Sequence, residues 1–302
     1  MNTLPPRASG STWTPSVSRP HSPLARLLPR RGMPDGDERE RLGRLSRLNG
    51  PGELRAALLA LLTRPGSARE QRAWRDETAG IASAPQVQQD MLALPAAARL
   101  PWFELFASRA ARAPLRQRSA LAESARRVMR ADGKVDVRER LWWLALRHRH
   151  GDAPPAMLVA ASGNDLARLD AAQVLAIGTF SALLSRLVPQ TEPDLPLDPI
   201  EVGPPGERWY RALMRRFEPR VPMPPREPPD VDATLRALRV LQALPWMLRP
   251  VLARAWFDEA LKVNDGAALP IAAADVLRLA CGLLDSPLPA ALARQYIEPV
   301  CR

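Results

Sequence analysis

The sequence predicts an all-α protein made of two similar helical units. Hydrophobic residues make up 46% of the 302-residue chain and aromatics only 5%. Ala and Leu dominate the apolar content, and both lose little freedom in a helix, whereas β-branched and aromatic residues favour strands. Apolar positions recur at helical spacing between stops that contain Pro and Gly. One layout of helix, Asp-Gly turn and helix occurs twice at a fixed offset of 133 residues, Asp132-Gly133 falling on Asp265-Gly266.

Residues 1–45 carry eight arginines against four acids. Helical period appears there only at the end, which predicts a disordered arm. From Gly52 the stretch ELRAALLALLTR places Leu54, Leu58, Leu61 and Leu62 on one helical face, and Pro65-Gly66 ends it. Helices are predicted over 68–81 and 86–91. In LPAAARLPWFELFASRAARAP, Pro95 and Pro101 predict a break into short pieces. Two longer helices follow, 115–130 closed by Asp132-Gly133 and 137–148 closed near Gly151, then a weaker pair over 156–162 and 171–187. Residues 189–229 are dense in proline, which cannot sustain a helix interior, so only 209–216 is expected to be helical there. Helices return from Val231 and from Trp246, and the last covers 271–284. The resulting organisation is an arm over 1–45, a first unit over 46–188, a Pro-rich linker over 189–230 and a second unit over 231–302. About 200 to 250 residues are expected to pack.

The net charge is +11, and Lys134 and Lys262 are the only lysines. A nucleic-acid footprint needs clustered cations. Here arginines alternate with acids on most predicted helices, so nucleic acid is the least favoured partner, with the arginine-rich arm as its point of attachment. No run of eighteen apolar residues occurs: the best, 174–188, is too short and contains Arg186. The start of the chain lacks the apolar region of a signal peptide, and the chain as given reads as cytoplasmic. Cys281 and Cys301 lie twenty positions apart and make neither a disulfide framework nor a zinc ribbon. No Gly-rich phosphate loop, GxSxG elbow or Cys-His pair occurs, so no catalytic residue is expected.

Asp132, Asp136 and Glu139 are the one constellation to which chemistry can be assigned. Counted as an EF-hand loop from Val128, Asp132, Gly133 and Glu139 would match the motif, but Val128 and Arg130 would occupy positions that need oxygen ligands. Two readings stay open. In one, Gly133 makes a positive-φ turn and Asp136-x-x-Glu139 is a capping box. In the other, the three carboxylates bind a divalent cation weakly. The second unit has Leu269 and Ala272 at the matching positions and keeps only Asp265 and Asp275. His148 and His150 point in nearly opposite directions on a helix and cannot share an ion. Trp142, Trp143, Trp246, Trp256 and Phe257 are expected in the core.

The segment PLRQRSALAESARRVMRADGKVDVRERLWWLALRHR, echoed by MLRPVLARAWFDEALKVNDGAALPIAAADVLRLACG, resembles the TerB-like (tellurite-resistance) helical fold, whose helices are joined by an acidic turn. Residues 50–292, through ELRAALLALL, LPWFEL, RADGKVDVRE and ADVLRLACGLLDSPLP, resemble the C-terminal region of bacterial HtpX-like membrane zinc metallopeptidases. The resemblance implies a helical accessory domain, metal at acidic turns, a membrane metallopeptidase half as protein partner, and residence at the inner membrane. Such peptidases hold zinc through His-Glu-x-x-His on one helix face. With histidines only at 21, 148 and 150, this chain has no such motif, so zinc would belong to an absent catalytic part. The expected function is a non-catalytic accessory or interaction domain, the product of a truncated or split longer gene. The alternative is a free-standing TerB-like divalent-metal or stress-response binding protein.

Overall fold

The computed structural model describes residues 36–64, 66–133, 135–150, 166, 169–188, 202–217 and 223–299. Among these the protein is all-α, with thirteen helices and no strand. The chain divides into residues 1–42 and 43–302, and the packing below is that of the second unit. Helix α1 (Gly36–Arg47) crosses that division and begins well before the end of the predicted arm. Its weak apolar content concealed it, but Asp37 and Glu38 open it and Arg44 and Arg47 close it, each charge opposing the helix dipole. The rest of the predicted arm and the helix expected over 156–162 lie outside the described residues.

Helix α2 (Pro51–Leu62) is the centre of the first half. Proline at its first position and Glu53 reaching back to the Gly50 N–H at 3.2 Å start it. Ala56, Ala57, Leu58 and Leu59 are fully buried among α3 (Ala68–Thr78), α4 (Ala84–Leu92), α5 (Ala96–Ala110) and α6 (Leu115–Met129). The sequence predicts a break at Pro101, yet α5 runs through it. Proline removes the N–H that would pair with the Ala97 carbonyl, and the backbone N–H of Ile297 donates to that carbonyl instead, at 3.1 Å. A long-range bond thus replaces the missing helical one.

The duplicated layout is present. Helix α7 (Val137–Arg149) follows α6 through Gly133 at φ +85°. After α8 (Ala171–Leu184), α9 (Pro204–Met214) and α10 (Val231–Gln242), helix α11 (Leu248–Val263) leads into α12 (Ile271–Leu283) through Asp265 at φ +52° and Gly266 at φ +75°. The two second helices, α7 and α12, pack together. Arg278 of α12 is buried and donates to Glu104 of α5 at 2.7 Å and to Glu298 at 2.5 Å, while Arg138 of α7 meets Asp275 of α12 at 3.5 Å. The short α13 (Ala290–Ala293) closes the described fold.

Two expectations need correction. Whereas residues 223–230 are mostly exposed, helix α9, inside the predicted linker, is core and packs on α11 and α8. Its Trp209 is fully buried and donates from its indole to the Trp256 carbonyl at 3.0 Å, and Trp256 donates to Ser181 Oγ at 3.0 Å. Proline density misled because Pro204 and Pro205 occupy the first turn of α9, where an N–H has no helical partner anyway. Second, Trp246 is 63% exposed in the turn before α11, whereas Trp142, Trp256 and Phe257 are buried as expected and Trp143 is half-buried.

Candidate functional site

The acidic turn is assembled around an arginine to which no local sequence pattern points. Arg64 stands just past the end of α2 and donates from Nε to Glu70 Oε1 at 2.7 Å, while its backbone N–H meets Glu70 Oε2 at 2.6 Å. The same guanidinium pairs with Asp132, approaches Glu139 Oε1 at 3.3 Å and lies 4.0 Å from Asp136. Asp132, Asp136 and Glu139 are therefore brought together, joined by the fully buried Glu70 of α3. Burial pulls the Arg64 pKa down, but Glu70, Glu139 and Asp132 outweigh it and hold the guanidinium above its usual range.

The capping box forms as expected. Asp136 Oδ1 accepts from the Glu139 N–H at 2.7 Å and Glu139 Oε2 accepts from the Asp136 N–H at 2.9 Å. A cation-binding role would require the same oxygens to turn away from the α7 N-terminus and from Arg64. Among the described residues no group of three or more His, Cys, Asp and Glu side chains has an arrangement that could hold a metal ion. In this structure the carboxylates pair with an internal arginine.

Beside the turn lies a cavity of about 130 Å³ lined by Arg64, Asp136, Arg138, Glu139, Trp142 and Asp275, among others. It brings the first acidic turn to the helix that follows the second. Burial, reinforced by the neighbouring Asp136 charge, pushes Glu139 up to about 7. Burial pushes Asp275 up to about 7 as well, against the pull of Arg138 and of the Tyr296 hydroxyl that donates to it at 3.2 Å. Both groups hold protons more tightly folded than unfolded. Between about pH 4.5 and 7 folding therefore takes up protons, and stability falls as pH rises, by at most about 3 kcal/mol per group. The midpoint of thermal unfolding is expected to drop by several degrees between about pH 5.5 and 8. The double variant Glu139→Gln, Asp275→Asn should flatten that slope. A wild-type midpoint that rises over this range contradicts the assignment.

On the other side of the turn, α6, α7 and α10 leave an open groove of about 310 Å³. Met129, Val135, Trp143, Leu144 and Val231 form its apolar lining, and Arg126, Arg130 and Arg140 are its charged residues, with no acid among them. Arg126 sits 3.9 Å from Glu123, whereas Arg130 and Arg140 pair with no carboxylate among the described residues. The Trp143 indole N–H is buried and has no acceptor among the described residues. Arg147 covers the ring at 5.4 Å.

Elsewhere among the described residues, His148, His150 and Cys281 are engaged or blocked. His148 Nε2 meets Asp285 at 2.9 Å and its Nδ1 meets Gln242 at 3.2 Å, so this histidine ties α7 to α10 and to the end of α12 rather than facing a nucleophile. His150 caps α7, buried. Burial pushes the Cys281 thiol up to about 12, which leaves it unreactive as a thiolate. No helix among the described residues is long and apolar enough to cross a membrane. No protein-family profile, no curated protein and no solved structure matches the chain.

Proposed function

We propose that the chain is a non-catalytic helical interaction domain whose groove between α6, α7 and α10 receives an acidic, amphipathic segment of a protein partner. The observation that carries this reading is the groove itself: an apolar lining beside Arg130 and Arg140, both without a carboxylate partner among the described residues. Tryptophan and arginine in one recess are the residues that dominate protein interfaces. An apolar face flanked by carboxylates would fill the lining and neutralise the arginines together. The resemblance to metallopeptidase C-terminal regions names the partner to try first, a membrane metallopeptidase half, whose association would bring the chain to the inner membrane.

The test is titration of the full chain with a labelled amphipathic peptide bearing Glu and Asp on its polar face, beside the same peptide bearing Arg there. The acidic peptide is expected to bind, and Trp143→Ala or Arg140→Glu to weaken it about tenfold or more. Equal binding of both peptides, or of neither, refutes the assignment. The alternative, a divalent-metal binding protein using Asp132, Asp136 and Glu139, is favoured by the gathering of those residues with Glu70 but requires the ion to displace Arg64.

A further inference from the structure

Helix α9 carries a second charged feature on the face opposite its buried tryptophan. Arg208, Arg211 and Arg215 are exposed at one-turn intervals, and none has a carboxylate partner among the described residues. With Lys262, Val263 and Asp265 they line an open cleft of about 580 Å³ between α9 and the end of α11. The buried carboxylate of that cleft, Glu259, is already shared by Arg216 at 3.1 Å and Lys262 at 2.9 Å. The three arginines therefore face solvent with their charge uncompensated. The helix that carries them is held in place, because the other face of α9 is fixed by the Trp209 bond to α11.

From these observations we infer that the α9 ridge binds a short chain of phosphates. Guanidinium groups match phosphate oxygens two at a time. Positions 208, 211 and 215 span about 10 Å along the helix, so neighbouring phosphoryl groups can be held at once. A nucleic-acid strand fits less well: single-strand sites add aromatic platforms for the bases, and the aromatic residues of α9, Trp209 and Tyr210, are buried. Asp265, the second carboxylate of the cleft, faces the same space and opposes an anion there. The inference is independent of the groove between α6, α7 and α10.

Calorimetric titration of the full chain with inorganic tripolyphosphate, with orthophosphate and with a short oligothymidylate tests it. Tripolyphosphate is expected to bind about tenfold or more tightly than orthophosphate and to weaken as salt is raised. Arg211→Ala should weaken it about tenfold, Arg72→Ala on the exposed side of α3 should leave it unchanged, and Asp265→Asn should tighten it several-fold. Asparagine tolerates the positive φ at that turn, so the gain of affinity does not depend on a fragile variant. Absence of heat with tripolyphosphate, an equal effect of the Arg211 and Arg72 variants, or binding of the oligothymidylate alone overturns the inference.

Discussion

Arg64→Met is expected to cost the fold about 3 kcal/mol and to give it a response to divalent cations through the same four carboxylates. Methionine keeps the backbone N–H that serves Glu70, but it removes the guanidinium that Glu70, Asp132, Asp136 and Glu139 share. Stranding one member of a buried ion pair typically costs about 3 to 5 kcal/mol. The lower end applies because the Arg64 side chain is 36% exposed and water already screens it. Glu70, Asp136 and Glu139 left without the guanidinium repel one another, and a hard divalent ion is the external group best suited to replace it. Urea unfolding should show the loss of stability, and calcium or manganese at millimolar concentration should restore about half of it in the variant, by preferential binding to the folded state. A variant as stable as the wild type would sink the structural role of Arg64. If the same ions raised the midpoint of the wild type equally, the metal-binding reading would replace it.

Gly206→Ala is expected to be at least as damaging, for a steric reason. A Cβ at that position would overlap the Ser185 carbonyl oxygen and lie 2.8 Å from Val202 Cγ1. The first contact is with backbone, so no rotamer change relieves it, and α9 has to move away from the end of α8. That movement pulls on the Trp209 to Trp256 hydrogen bond and opens the core around it, for a loss of more than about 3 kcal/mol. Gly133→Ala provides the comparison: its φ of +85° penalises a side chain, but nothing lies within 4 Å, so about 1 kcal/mol is expected. Chemical denaturation of both, with near-ultraviolet dichroism reporting the tryptophans, separates the two causes. A smaller loss at Gly206 than at Gly133 would contradict the close approach of α8 and α9.

These two glycines also mark where reading the sequence succeeds and where it stops. Gly133, the Asp136-x-x-Glu139 box and the Asp265-Gly266 turn are local signals: each depends on residues within a few positions of one another, and each is found as read. Gly206 carries no local signal, because its requirement comes from Ser185 on another helix. The same holds at the candidate site. The three carboxylates near the first turn were legible from their spacing, but Arg64, 68 positions before Asp132, was not. Asp275 looked like a remnant of the second turn, and only the packing of α12 on α7 brings it to Arg138. Proline misled twice in the same direction, and for one physical reason. Its cost depends on whether an N–H is needed at that site, and that is settled by position in the turn for Pro204 and Pro205 and by a distant donor for Pro101.

The bond from the Ile297 N–H to the Ala97 carbonyl has a consequence for synthesis. Donor and acceptor are separated by 200 residues, from 97 to 297. At about 5 to 20 residues per second, α5 emerges from the ribosome about 10 to 40 s before the residue that completes it. During that interval Glu104 also lacks Arg278, and the faces of α5 and α7 that receive α12 stay open to water. The first helical group is therefore obliged to wait for α12 and the segment around Ile297, and the waiting chain is the form that a chaperone would hold.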